Sequence, residues 1–147
     1  MPYTSVRLFH SRHAPLAPLK DGFGFLIHPP EGQGLLGALV PSWMDPACAP
    51  EGLMQLRSFV GGAFPTHPHL ESWSGVMAAL RAWVPALADP SAIREELADR
   101  AIPRPELGHR ARLALALSGL PPGLDWVSNA RFGPGVRDVV EGLEGWA

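Results

Sequence analysis

Near the end of the chain, Ser128-Asn129-Ala130-Arg131-Phe132-Gly133-Pro134-Gly135 is a turn-forming loop that runs directly into Val136-Arg137-Asp138-Val139-Val140. Val136, Val139, Val140 and Leu143 recur at i, i+3, i+4 and i+7, one face of a helix. A glycine loop feeding a helix start aims backbone N–H groups and the positive end of the helix dipole at whatever precedes it, which suits an anionic ligand. Such a loop needs a glycine with positive φ, so Gly135 is expected to tolerate a β-branched replacement less well than Gly142 inside the helix. The remaining reactive side chains are less organised. His67 and His69 flank Pro68, and His10 precedes His13, yet neither pair has a thiol or carboxylate at ligand spacing, so both read as solvated loop histidines. Cys48 has no neighbouring base to make it a thiolate. His109 after Gly108 reads as a helix start, and no serine lies in a nucleophile elbow. No residue is assigned a catalytic role, and none a metal.

The elements that position this loop follow from periodicity. Tyr3 to about His10 alternates as a strand, and Phe23 to Ile27, Leu35 to Val40 and Met54 to Val60 follow as strands between Pro/Gly-rich turns. Their short spacing predicts an antiparallel meander. From Glu71 the period becomes helical: Trp73, Val76, Met77, Leu80, Trp83, Val84 and Leu87 form an apolar stripe that Pro85 should end or kink. Asp89-Pro90 has the form of an N-cap and a first-turn proline, and with Glu95-Glu96 it favours a helix to about Asp99. Gly108 to Ser118 reads as a short helix, and Leu124 to Ser128 as a short strand feeding the Gly133 loop. Trp73, Trp83 and Trp126 read as core aromatics. The expectation is an α+β fold, an antiparallel four-stranded sheet followed by helices and a short strand-loop-helix. It forms a single domain over residues 1–147, with 1–65 mainly strands and 66–147 mainly helical.

Composition narrows the function classes. At 46% hydrophobic residues and a net charge of −2, the chain can bury an ordinary core and has no basic excess for nucleic acid. No apolar run is long enough for a membrane span, and Met1-Pro2-Tyr3-Thr4-Ser5 is not a signal peptide. The lone Cys48 fits a reducing cytoplasm.

Asn129, Gly133, Gly135, Val136 and Asp138 match the closing motif G-N-x-x-x-G-V-G-V-P-D of the FAD-dependent protoporphyrinogen oxidases, within the flavin amine-oxidase family. Upstream, Gly22-Phe-Gly-Phe-Leu-Ile-His-Pro29-Pro-Glu31 resembles that family's G-F-G-x-L-x-P-x-x-E. Leu36-Gly-Ala-Leu with Pro46-Ala-Cys-Ala-Pro50-Glu-Gly resembles its L-G-x-x-F-S-S-x-x-F-P-x-R-A-P-x-G, and Arg57-Ser-Phe-Val-Gly61-Gly62 the strand that follows. Ala101-Ile-Pro103-Arg-Pro-Glu-Leu-Gly108-His109 resembles its A-x-P-Q-Y-x-x-G-H. The matches are collinear and span nearly the whole chain.

The resemblance implies that Asn129, Gly133, Gly135, Val136 and Asp138 meet FAD, and it puts a strand at Ile93 to Ala98, where the local signals favour helix. The departures are Cys48 in place of an arginine, Ser128-Asn129 in place of G-N, and Arg137 in place of the proline of V-P-D. The chain lacks the strand, G-x-G-x-x-G turn and helix that hold the FAD pyrophosphate. It therefore resembles only the C-terminal third of such an oxidase, inactive alone and binding FAD only if a partner supplies the dinucleotide-binding half. Two alternatives stay open: a non-catalytic domain holding a planar apolar small molecule on its sheet, and a self-associating interaction domain. A homodimer or the missing half would cover the apolar groups of Val139, Val140, Leu143 and Trp146.

Overall fold

The computed structural model describes residues 2–17 and 22–144, and Trp146 lies outside them. The chain divides into two compact units: Ser5–Asp99 is one, and the described residues of 1–4 and 100–147 make up the other. Five strands form one antiparallel sheet: β1 (Tyr3–His13), β2 (Gly24–Leu26), β3 (Leu35–Leu39), β4 (Met54–Gly61) and β5 (Ala92–Pro103), in the order β2-β3-β4-β1-β5. The helices are α1 (Pro29–Gly32), α2 (Pro41–Met44), α3 (Trp73–Trp83), α4 (His109–Ser118), α5 (Asn129–Phe132) and α6 (Val136–Gly142). The fold is α+β, with one more strand than expected.

Alternation along β4 sorts the two faces of the sheet. Met54, Leu56, Ser58 and Val60 are buried while the residues between them are not. The β1–β4 register sets Phe9 opposite Ser58, Ser11 opposite Leu56 and His13 opposite Met54, so these side chains share the buried face. Helix α3 supplies Val76, Met77 and Leu80 to the same core, which Leu70 and Leu87 complete. Ser72 starts α3 by accepting the Gly75 N–H at 3.3 Å. Gly75 is required there, because a Cβ would stand 1.7 Å from the His69 carbonyl oxygen. Val84 caps the other end, just before Pro85, as the stripe predicted.

The structure corrects the rest of the reading in several places. β2, β3 and β4 form the expected meander, but β1 lies beyond β4 and beside β5, so the whole is not a meander. Pro15 stands in a connection from β1 to β2 that has no two-residue hairpin turn, and the chain crosses over instead. Residues 92–103 form a strand rather than the locally favoured helix. Asp89 is engaged by Arg81 at 2.9 Å, and the Ser91 N–H bonds the Arg12 carbonyl at 2.8 Å, so the open edge of β1 captures the segment. Pairing outweighs the weak helix preference. Residues 124–127, expected to be a strand, belong to none, because among the described residues no strand lies alongside to pair with them. Trp73 packs on Phe9 with ring centroids 5.8 Å apart, whereas Trp83 and Trp126 are exposed rather than core.

His10 and His13, expected as solvated loop histidines, lie in β1 instead, and His13 is fully buried with both ring nitrogens engaged. Its Nδ1–H donates to the Ala88 carbonyl at 2.8 Å, and its Nε2 accepts the Ser11 hydroxyl at 2.8 Å, which requires a neutral ring. Burial pushes its pKa below the ordinary imidazole value, and the Arg81 charge acts in the same direction against the Ala88 bond. The unfolded chain therefore binds a proton more readily than the folded one, so stability is full above about pH 6.5 and falls as the pH drops below it. Thermal melts between about pH 7.5 and about pH 5 should show Tm falling on acidification. In His13→Gln the melt should begin lower at neutral pH and depend less on acid, and an unchanged slope would remove His13 from this role.

Candidate functional site

The matched segments of the second unit converge on one cavity. Gly108 adopts φ 78° ahead of α4, a left-handed turn that favours glycine, and brings His109 to the first helical position. The His109 Nε2–H donates to the Ala130 carbonyl at 2.8 Å, tying the start of α4 to α5, twenty-one residues later. Gly133, with φ 140°, ends α5 and turns the chain into α6. Pro103, Gly108, His109, Asn129, Phe132 and Gly133 are among the residues lining the resulting cavity of about 460 Å³. Arg131 braces its floor: it pairs with Asp125, donates to the Trp126 carbonyl at 2.9 Å and lies 4.8 Å over the Phe132 ring. These contacts hold residues 125–126 against α5, where the sequence pattern placed a strand.

Of the residues expected to meet a ligand, Asn129 and Gly133 line the cavity, whereas Gly135, Val136 and Asp138 are not among its lining. Asp138 turns back to accept the Gly135 N–H at 2.9 Å, so its own carboxylate caps the start of α6. That explains Gly133, where a Cβ would come within 2.9 Å of the Asp138 Cβ, whereas one on Gly135 would come within 2.9 Å only of the rotatable Oδ2. Val136 is 82% exposed. The positive φ expected in this loop sits at Gly133, while Gly135 is extended at φ −81°. His109 and Phe132 belong to the cavity although the sequence reading gave them no part in a site. The Gly108-His109 match was the signal, but it read only as a helix start.

The cavity offers neutral polar groups, and the start of α6 is already met by a carboxylate. The Asn129 amide reaches the cavity, and the first N–H groups of α6 have no acceptor inside their own helix. The carboxylate at the α6 start disfavours a second anion there, and α6 has seven residues, giving only a small dipole. Elsewhere, the His67 and His69 Nδ1 atoms lie 2.5 Å apart, with the His69 N–H directed at the same His67 nitrogen. No group of three or more potential ligands forms a metal site among the described residues. Cys48 is exposed at the end of a 3-10 turn (Pro46–Cys48).

No protein-family model matches the chain. Solved structures do match its fold. The crystal structure of a "putative protoporphyrinogen oxidase" from Exiguobacterium sp. 255-15 superposes with a TM-score of 0.65 at 18% identity, over 95% of this chain and 32% of the other. Reduced UDP-galactopyranose mutase superposes with a TM-score of 0.65 at 18% identity, over 80% of this chain and 26% of the other. The chain spans about a third and about a quarter of their respective lengths. At this identity the likeness is one of fold, shared with part of each of these two proteins.

The packing reverses the expected order of glycine sensitivity. A Cβ on Gly142 would stand 2.2 Å from the Phe132 ring, whereas one on Gly135 meets a carboxylate that can rotate away. Gly142→Ala should therefore destabilise by about 1–3 kcal/mol, the usual cost of overpacking, and Gly135→Ala by less. Urea unfolding of the two variants decides the order.

Proposed function

We propose that this chain is the closing segment of a FAD-dependent oxidase of protoporphyrinogen-oxidase type, acting with a separate half that carries the dinucleotide-binding motif. One observation carries the reading: two matched segments, Gly108-His109 and Asn129 to Gly133, line one cavity and are joined by the bond from His109 to Ala130. Within that reading, Asn129, Gly133, Gly135, Val136 and Asp138 form the loop that meets the flavin edge. Asn129 presents a neutral amide, Gly133 sets the turn, and Asp138 locks Gly135 and Val136 in position from behind. When bound, FAD supplies the two-electron acceptor of the oxidation. His109 is a positioning residue, because its Nε2–H is committed to a backbone carbonyl.

The exposed surface of the second unit supports a partner. Helices α4, α5 and α6 bury no residue fully, and Leu115, Leu124, Trp126, Val127, Val136 and Val140 are exposed. A contiguous apolar patch of several hundred Å² is about the largest a soluble monomer usually leaves open. The missing half would cover them, and in its absence a second copy of the chain is the alternative cover.

Purified alone, the chain should be colourless and without oxidase activity. Flavin bands near roughly 370 and 450 nm at stoichiometric amounts would mean that the chain holds the cofactor unaided. Light scattering on a size-exclusion column should give about twice the 15.8 kDa chain mass, or a hetero-complex when a dinucleotide-binding half is co-expressed. A monodisperse monomer under both conditions would refute the partner.

A further inference from the structure

We propose a second binding site, for a carboxylate or phosphate group of a small molecule, on the face of the sheet opposite the core. It lies wholly within Ser5–Asp99 and does not depend on the flavin-loop reading. The β1–β4 register sets His10 opposite Arg57 and Arg12 opposite Gln55, the residues of each strand that alternate with its buried ones. β5 adds Arg94 and Glu96, and a cavity of about 320 Å³ is lined by His10, Arg12, Gln55, Arg94 and Glu96.

Charge is distributed unevenly across the two faces of this sheet. On the core side, Glu95 pairs with Arg7, and Asp99 accepts the Ser5 hydroxyl at 2.7 Å. On the open side, Arg12 and Arg94 form no ion pair among the described residues. The Arg57 Nε–H donates to His10 Nδ1 at 3.3 Å. Because arginine can only donate, His10 Nδ1 is the acceptor and the neutral ring carries its proton on Nε2. That nitrogen is buried and makes no hydrogen bond, the Glu96 carboxylate standing 3.6 Å away, beyond bonding distance.

Among the lining residues Glu96 is the one carboxylate against the guanidinium groups of Arg12 and Arg94, with Arg57 held behind them on His10, so the site keeps an excess of positive charge. Guanidinium forks match the two oxygens of a carboxylate or phosphate, and the cost of holding Arg12 and Arg94 at one cavity falls when such an anion enters. Gln55 adds a neutral amide at the rim.

Titration calorimetry of the full chain at fixed ionic strength, with inorganic phosphate and separately with citrate against a chloride background, tests the site. Saturable binding of either supports it, and the tighter of the two assigns the ligand to phosphates or to carboxylates. Arg12→Gln and Arg94→Gln should each weaken binding by about tenfold or more, the usual effect of losing a charge-assisted hydrogen bond. Glu96→Gln should tighten it several-fold, a gain that a merely damaged fold cannot produce. Arg104→Gln, an exposed arginine of the other unit, should leave binding unchanged. No binding above chloride, or equal losses in Arg104→Gln and Arg94→Gln, would overturn the proposal.

Discussion

The antiparallel ladder between β1 and β4 decides the chemistry of both sheet faces, because side chains alternate and a one-residue slip would exchange the two sets. In the observed register, Phe9, Ser11 and His13 meet Ser58, Leu56 and Met54 under α3. The same register sends His10, Arg12, Gln55 and Arg57 to the opposite face. A slip by one residue would carry Arg12 and His10 into the core and leave Phe9 in solvent. Burying an arginine there without a partner would cost far more than the ladder bonds return. The buried His13 reinforces the choice, since its two ring nitrogens find partners only when Ser11 and Ala88 are both in place.

That constraint explains which elements were legible. Long periodic segments were readable because one face carries their burial: Met54, Leu56 and Val60 alternate as a strand must, and Val76, Met77 and Leu80 recur as a helix must. Residues 92–99 were misleading locally. Asp89-Pro90 and Glu95-Glu96 carry genuine helix signals, but the segment lies beside an unpaired edge of β1, a tertiary fact with no local signature. Residues 124–127 are the converse case. Their apolar, β-prone composition suits a strand, yet strand formation requires a neighbour, and Arg131 holds the segment by Asp125 and Trp126 instead.

The loop was legible as backbone geometry more than as chemistry. Two glycines before a helix indicated a special turn, and Gly133 does adopt positive φ. What the spacing did not reveal is that Asp138 fills the helix start and packs closely on Gly133. His109 was legible as a helix start but not as a cavity residue, for a related reason. Its partner is the Ala130 carbonyl, and a backbone acceptor leaves no trace in residue identity.

The two units differ in how far they satisfy themselves. Every fully buried apolar residue among the described residues lies between Val6 and Leu87, within the unit that contains α3 and most of the sheet. The other unit is held by directional contacts: His109 to Ala130, Arg131 to Asp125, Asp138 to Gly135, and the Phe132 ring against Gly142. Exposed hydrogen bonds and ion pairs contribute little net stability each, so such a unit depends on apolar area buried elsewhere. Its apolar groups are large and exposed, and its cavity is formed by the same loops that those weak contacts hold. Covering that surface would therefore stabilise the unit and fix the cavity in one step.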